Sequence, residues 1–252
     1  GPRLDWIRDS DALKRLSMDY IHESLGPIYK TVNRVSGALP YGTALIGFAG
    51  APWTIITYIL EGQSSRDFPT SRRWLWENSR KFDALLELVI EGTVRFLELQ
   101  ARAGADALML FDSWASAVPA HARNHVVSDP VAQIIDQLAR RGISRPVIGF
   151  PKGIGEGLVQ YCDLSGVRAV GIDHGTDIRW AARHLPEEIV LQGNLDPMTL
   201  IDAGEKMQDS VKEILDVCSG RPHIFNLGHG IHLDTPPENV TRLIERVRGF
   251  KG

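Results

Sequence analysis

The hydrophobic residues of this 252-residue chain fall in six short runs that are separated by longer amphipathic segments. Most of the runs are continuous rather than alternating, which is typical of strands buried on both faces of a parallel sheet. The six predicted strands span residues 44–48, 107–111, 147–150, 169–172, 189–191 and 223–227.

The segments between these runs have helical spacing of their apolar residues. The clearest predicted helix covers residues 81–103 and ends at Gly104. Further helices are predicted at residues 130–140, 178–184, 197–217 and 237–248. Alternation of strand and helix indicates βαβ units. Because no long linker interrupts this order, we predict a single domain over residues 1–252.

Glycine or polar residues follow every predicted strand, in the stretches GFAGAPWT, LFDSWAS, GFPKG, GIDHG, QGNLD and NLGHG. After one strand, such residues usually only break the strand or cap a helix. Six such ends in succession favour a shared functional face, because the carboxyl ends of all strands in a parallel barrel open on one side. We therefore expect His229, between Gly228 and Gly230, at the mouth of a barrel.

Six strands are two fewer than a closed (β/α)8 barrel needs. A doubly wound sheet accepts six strands, but GFAGAPWT lacks the G-x-G-x-x-G phosphate turn that usually follows its first strand. About forty residues of mostly helical sequence also precede the first predicted strand, like the end of an earlier repeat. We interpret the chain as an incomplete (β/α)8 TIM barrel of the α/β class, with about six βα repeats and the first two missing.

Composition narrows the classes of partner. The formal net charge of −3 gives no general attraction to nucleic acid or to an anionic membrane. No apolar run reaches the roughly 18 residues that a membrane-spanning helix needs. Cys162 and Cys218 form no metal-binding spacing and fit a reducing compartment. We expect a cytoplasmic protein without a metal, a nucleic-acid partner or a membrane partner.

Four stretches of the chain resemble the uroporphyrinogen decarboxylase family and occur in that family's order: IGFAGAPWTIITYILEGQSS, LFDSWAS, LQGNLDP and FNLGHGIHLDTPPENV. The family's Arg-Gln-Ala-Gly-Arg motif and an early strand that ends in aspartate have no counterpart here. By this resemblance the missing part is two βα repeats, roughly 80–100 residues in a barrel of this type.

The resemblance implies decarboxylation of the four acetate side chains of uroporphyrinogen III to give coproporphyrinogen III, in haem and tetrapyrrole biosynthesis. It implies a carboxy-lyase with no cofactor, a tetrapyrrole as the small-molecule partner, and a homodimer. In this reaction a protonated pyrrole accepts the electrons that CO2 leaves behind. The protein must therefore hold a cationic ring and many carboxylates in a cavity sheltered from water.

Three residues match the family's active-site positions. By this resemblance Tyr58 hydrogen-bonds a substrate carboxylate or the missing aspartate, Ser113 lies near a carboxylate, and His229 donates to an acetate or propionate arm. Each also has a structural interpretation. Tyr58 would be an aromatic residue on a helix face with an anchored hydroxyl, Ser113 an N-cap after a strand, and His229 a structural histidine.

The local sequence at the strand ends suggests further candidate site residues. Lys152 in GFPKG is either a carboxylate partner or a solvated loop lysine. Gly50 belongs to a glycine-containing turn before Pro52, where the N–H groups of a new helix would meet a carboxylate, or where a strand and a helix pack closely. Asp112 is expected to cap the turn that contains Ser113. His174 stands where many family members have tryptophan, so we leave it out of the predicted site.

Two alternative functions remain open. A cobalamin- or thiol-dependent methyltransferase of the same barrel superfamily would need a His-x-Cys zinc pair near the fifth strand of the complete barrel and a later cysteine. With two strands missing, that strand is the third one here, and GFPKG at its end contains neither histidine nor cysteine. A non-catalytic barrel fragment would explain the missing motifs. Against that alternative, Tyr58, Ser113 and His229 are all retained.

Overall fold

Six parallel strands alternate with helices in the computed structural model, which describes residues 21–62, 65 and 67–250. The strands are β1 (Ile46–Gly50), β2 (Ala107–Asp112), β3 (Val147–Pro151), β4 (Ala169–Ile172), β5 (Val190–Leu195) and β6 (His223–Leu227). They form one sheet in the order β1-β2-β3-β4-β5-β6, and every neighbouring pair is parallel.

Helices connect consecutive strands, and one further helix lies before β1 and one after β6. They are α1 (Ile21–Ser36), α2 (Pro52–Glu61), α3 (Pro69–Glu77), α4 (Ser79–Arg102), α5 (Asp129–Arg140), α6 (Gly157–Ser165), α7 (Ile178–His184), α8 (Thr199–Asp202), α9 (Glu205–Cys218) and α10 (Pro237–Arg248). Two short 3-10 turns and one π-helical turn lie between β2 and α5. None of the helices in the described ranges is both long and apolar enough to cross a membrane.

All six predicted strands are present, and the largest boundary error is at β5. The apolar pattern ended that strand at Leu191, whereas the structure continues it to Leu195. Gln192 and Asn194 are buried within the extension. The Asn194 side chain donates to the backbone oxygens of Asp173 and Thr176, at 3.3 and 2.7 Å, and these bonds compensate for its burial.

The helix predictions fail at three places, although the seven-residue α7 was predicted with its observed bounds. The predicted helix over residues 197–217 is two helices, α8 and α9, because Ala203 between them adopts a left-handed backbone with a φ of 48°. Neither α3 nor α6 was predicted. The sequence of α3, PTSRRWLWE, presents few apolar positions, so its helical spacing is weak.

The two faces of the sheet pack differently. On the outer face, large side chains from the helices and strands form the main core, including Trp53, Phe82, Leu97 and Leu110. On the inner face, a smaller cluster contains Met109, Ile148, Phe150 and Ala169, with Phe111 and Val190 packed against it. Burial on both faces explains why the strands have continuous rather than alternating apolar sequences.

The sheet has two outer strands, β1 and β6, and each pairs with one neighbour within the described part of the chain. Both expose apolar side chains, with Phe48 59% exposed on β1 and Ile224 42% exposed on β6. An unpaired strand edge with apolar side chains is a surface on which a further strand can pair.

Candidate active site

The predicted site residues lie at one end of the sheet. Ser113 follows β2, Lys152 follows β3, and His229 lies two residues after β6. Tyr58 is on α2, which begins two residues after β1 ends. Because all six strands are parallel, these segments share the carboxyl end of the sheet, as the sequence predicted.

A cavity of about 280 Å³ opens beside the inner face. It is lined by Met109, Phe111, Phe150, Gly171, Gln192, Asn226, Leu227, His229, Gly230 and Ile231. Of the five residues predicted to bind substrate, His229 alone belongs to this lining. Tyr58, Ser113, Lys152 and Gly50 are not among its lining residues, and the sharing of one site by Tyr58, Ser113 and His229 stays a prediction.

A row of aromatic rings runs across the inner face from β1 toward the end of β6. Phe48 and Phe111 meet edge to face at 5.8 Å between ring centroids, and Phe111 and Phe150 do so at 5.9 Å. The His229 ring then stacks on Phe150, with centroids 6.4 Å apart and an angle of 27° between the planes. This aromatic row, Phe48–Phe111–Phe150–His229, gives the site an extended apolar surface.

His229 favours its neutral form. Partial removal from water lowers the pKa of its imidazole, and the positive charges of Lys152 and His174 lower it further, against the opposing effect of Asp173. Lys152 and His174 therefore lie close enough to His229 to influence its charge. An anion placed among these three side chains would reverse the effect, because it favours the protonated imidazole.

Asp173 joins the segments that follow β3 and β4. Its buried carboxylate accepts hydrogen bonds from the backbone N–H groups of Gly153, at 3.0 Å, and Gly175, at 2.9 Å. The Thr176 hydroxyl donates to it at 3.2 Å. These bonds hold the turn that contains Lys152 against the turn that contains His174.

Gln192 places an amide group on the cavity wall. Its side chain is 4% exposed, and its Oε1 has no hydrogen-bond partner within the described ranges. The Nε2 group has only a weak contact, 3.8 Å from the Met109 sulfur. A buried amide without partners is costly, so this position is suited to a ligand that brings a hydrogen-bonding group.

The segment that contains Ser113 is attached to α2. The Thr54 hydroxyl donates to Asp112 Oδ1 at 2.6 Å and accepts from the Trp114 N–H at 3.3 Å. The Trp53 indole N–H donates to the Trp114 backbone oxygen at 3.0 Å. These three bonds form what we call the Thr54 bridge. Sequence analysis missed it because its two sides are about sixty residues apart.

The expected capping roles at this turn are wrong. Asp112 does not cap the turn but is buried against Thr54, and the 3-10 turn that follows begins without a side-chain cap from Ser113. Burial raises the pKa of Asp112 to about 7, although the hydrogen bond from Thr54 opposes that rise. Its Oδ2 atom has no partner within the described ranges.

The glycines of GFAGAPWT pack closely. A Cβ at Gly47 would come within 3.0 Å of Gln100 Oε1, and one at Gly50 within 3.1 Å of Ile55 Cγ1. The Ala51 N–H, at the start of α2, donates to the Phe111 backbone oxygen at 2.9 Å. These contacts favour strand–helix packing at both glycines, and a substrate contact at Gly50 remains a prediction.

Both cysteines lie on helices away from the strand ends. Cys162 is buried on α6 and Cys218 at the end of α9, and burial raises the pKa of each thiol. Neither is at the carboxyl end of a strand, where the methyltransferase alternative would require a zinc ligand.

Several solved structures resemble this fold, and two of them show the range of similarity. A methyltransferase from Methanosarcina mazei matches with a TM-score of 0.73 and 16% identity, over 95% of this chain and 66% of that chain. A B12-independent methionine synthase from Shewanella sp. W3-18-1 matches with a TM-score of 0.58 and 8% identity, over 93% and 66% of the two chains. At such low identity the likeness concerns the fold alone, and it confirms the α/β barrel class.

Proteins of similar sequence identify the family more specifically than proteins of similar fold. The uroporphyrinogen decarboxylase of Rhodospirillum rubrum is 43% identical over 248 residues, which cover 98% of this chain and 71% of the relative. That of Rhizorhabdus wittichii is 47% identical over 249 residues, 99% of this chain and 72% of the relative. The family described as "Uroporphyrinogen decarboxylase (URO-D)" matches residues 1–250. The chain therefore belongs to the uroporphyrinogen decarboxylase family.

Proposed function

We propose that this chain supplies most of the active site of a carboxy-lyase that converts uroporphyrinogen III to coproporphyrinogen III in tetrapyrrole biosynthesis. The observation on which this depends is the position of His229. It lines an apolar cavity at the carboxyl end of the sheet, with Lys152 and His174 near it, in a chain of the decarboxylase family.

The substrate carries eight carboxylates around an apolar macrocycle, and the site offers both matching features. The aromatic row provides an apolar surface of suitable extent for the pyrrole rings. Lys152 and His229 provide positive charge or N–H donors for acetate and propionate arms. Tyr58 and Ser113 provide hydroxyl donors at the ends of α2 and β2. Since the whole chain has a formal charge of −3, anion binding must come from such local groups.

Each decarboxylation consumes one proton and releases one CO2. Protonation of a pyrrole ring carbon creates an iminium centre, and the electrons of the breaking C–CO2 bond neutralise it. The resulting methylene carbon then takes a proton and the ring carbon loses one, which leaves a methyl group. The protein assists by holding the cationic ring in a cavity with little water, where nearby dipoles act strongly. The Gln192 Oε1 atom is available to accept a pyrrole N–H.

We further propose that two more βα repeats close the ring between β6 and β1. The chain spans 71–72% of the length of the two decarboxylase relatives, and the end strands β1 and β6 each have one neighbour in the described part of the chain and expose apolar side chains. By resemblance those repeats supply the arginines and the aspartate that this sequence lacks, so residues 1–252 form one barrel domain that is incomplete at its N-terminal side. A homodimer and a cytoplasmic location complete the proposal; two unpaired buried cysteines are consistent with a reducing compartment.

An activity assay with and without the complementary segment tests this function. The 252-residue chain alone is expected to release no coproporphyrinogen above background, because loss of even one charge-stabilising donor can cost about 10²–10³ in rate. The part of the Rhodospirillum rubrum relative that lies outside the match should restore turnover, either fused or added separately. If the fused protein folds and remains inactive, the proposed function is wrong. If the chain alone turns over at the rate of the fusion, the missing repeats are not needed.

A further inference from the structure

The hydroxyl of Thr54 makes two hydrogen bonds within the Thr54 bridge. It donates one hydrogen bond to Asp112 and accepts one from the Trp114 N–H, and these two residues flank Ser113 in sequence. Thr54 is 6% exposed, so water cannot readily replace either bond. A valine of the same shape would fill the space but could make neither bond.

Thr54 also lies on the same face of α2 as Tyr58. The two residues are four positions apart on α2, which places their side chains on the same helix face, with Cβ atoms about 5–6 Å apart. Tyr58 is 44% exposed, whereas Thr54 is buried one turn earlier. One threonine therefore contacts the Ser113 turn and belongs to the same rigid helical turn as Tyr58.

We propose that Thr54 is a positioning residue that fixes the Ser113 and Tyr58 hydroxyls relative to each other, so that they bind substrate carboxylates as a pair. This inference rests on the proposed function for the identity of the ligand. Thr54 does not touch substrate itself. Its two hydrogen bonds determine where the Ser113 turn lies against α2, and the β-branched side chain has few rotamers in a helix, which limits its movement.

Thr57 supplies a matched control. It is a second buried threonine on α2, 1% exposed, but its hydroxyl donates to the Thr54 backbone oxygen within the same helix, at 2.7 Å. Thr57→Val therefore removes a buried hydroxyl from the same element without breaking the Thr54 bridge. Thr54→Ser keeps the hydroxyl and removes only a methyl group.

The first test measures affinity for uroporphyrin, the stable oxidised octacarboxylate, by fluorescence. Thr54→Val should weaken binding about fivefold to tenfold, while Thr54→Ser and Thr57→Val should stay within about twofold of the unmodified chain. If Thr54 acts through Ser113, adding Thr54→Val to Ser113→Ala should weaken binding less than the two separate effects predict. Fully additive effects, or an equal loss in Thr57→Val, would overturn the proposal.

The second test needs no ligand and separates this inference from the proposed function. Thr54→Val should speed hydrogen exchange of the Trp114 amide at least about tenfold, and Thr57→Val should not. If Thr54→Val does not fold, Thr54→Ala replaces it in both tests. Failure of the unmodified chain to bind uroporphyrin would count against the proposed function, and the exchange experiment would still decide on the Thr54 bridge. An unchanged Trp114 exchange rate in a folded variant would refute the bridge.

Discussion

Gly228 lies against the backbone of His174, so closely that a Cβ at position 228 would come within 2.3 Å of the His174 nitrogen. The Gly228 N–H donates to the Leu195 backbone oxygen at 2.7 Å. The turn that contains His229 is thus held between the segments that follow β4 and β5. Any side chain at 228 must displace backbone.

Gly228→Ala is expected to move the His229 turn away from the cavity. Overpacking of this kind usually costs about 1–3 kcal/mol in the free energy of unfolding, which urea denaturation measures. Affinity for uroporphyrin should fall as well. Gly220→Ala is the control, because a Cβ there meets no atom within 4 Å and Gly220 does not line the cavity. Equal behaviour of the two variants would show that the close approach to His174 has no consequence.

The buried carboxyl of Asp112 should make stability depend on pH. Its pKa of about 7 in the folded protein lies above its ordinary value of 3.8, so folding favours the protonated form. This group therefore opposes folding increasingly as pH rises from about 4 to about 7. An asparagine side chain at this position would stay neutral and could still accept from Thr54. Asp112→Asn should therefore stabilise the protein, relative to the unmodified chain, more at pH 8 than at pH 5.

Unfolding in urea at a series of pH values measures this difference. Each unit of pKa shift corresponds to roughly 1.4 kcal/mol, so a change of a few kcal/mol across the range is the expected upper limit. Asp209→Asn, an exposed change on α9, is the control. A stability difference for Asp112→Asn that is constant from pH 5 to pH 8 would contradict the raised pKa.

His229 should take up a proton when a polycarboxylate binds. Burial and the charges of Lys152 and His174 lower its pKa below the ordinary 6.5, whereas a carboxylate beside it raises the pKa again. Binding near pH 6.5 should therefore draw protons from the buffer, and affinity should fall as pH rises. Calorimetry in buffers of different ionisation enthalpy counts the protons. His229→Gln should abolish the uptake, and His184→Gln, on the distant end of α7, should leave it unchanged; uptake that survives in His229→Gln would point to another group.

Gln192 offers a test of pyrrole recognition. Gln192→Met keeps the side-chain length but removes the buried amide, so the free protein should become more stable. Affinity for free-base uroporphyrin should nevertheless fall about threefold to tenfold, because its pyrrole N–H loses an acceptor. Zinc uroporphyrin has no pyrrole N–H, so its affinity should not change. An equal loss for both porphyrins would mean that Gln192 only shapes the cavity.

The sequence was sufficient to place the strands, because a strand buried on both faces requires a continuous apolar run. It was not sufficient at β5, where the burial of Asn194 depends on acceptors contributed by Asp173 and Thr176 from another segment. Local patterns contain no information about such partners. The break between α8 and α9 was missed for a similar reason, since a left-handed alanine is set by its surroundings.

The resemblance predicts Ser113, Tyr58 and His229 as single site residues, and their roles stay predictions. Their common location at the carboxyl end of the sheet follows from strand polarity, but the contacts between segments do not follow from either. The Thr54 bridge joins residues 58 positions apart. Only the fold brings these residues together. As a result Asp112 is buried against Thr54 and does not take its expected role as a cap of the turn.

The open order of the sheet has a consequence for the size of the substrate that fits. Hydrogen-bonded pairing fixes the spacing between neighbouring strands, but not the distance between the two ends of the series, β1 and β6. Tyr58 follows the first of these strands and His229 follows the last. Under the proposed function, in which Tyr58 and His229 bind the macrocycle from two sides, the span between them would be set by the segment that bridges β6 to β1. That bridging segment would determine which diameter of macrocycle fits, even if it contributed no side chain to the chemistry.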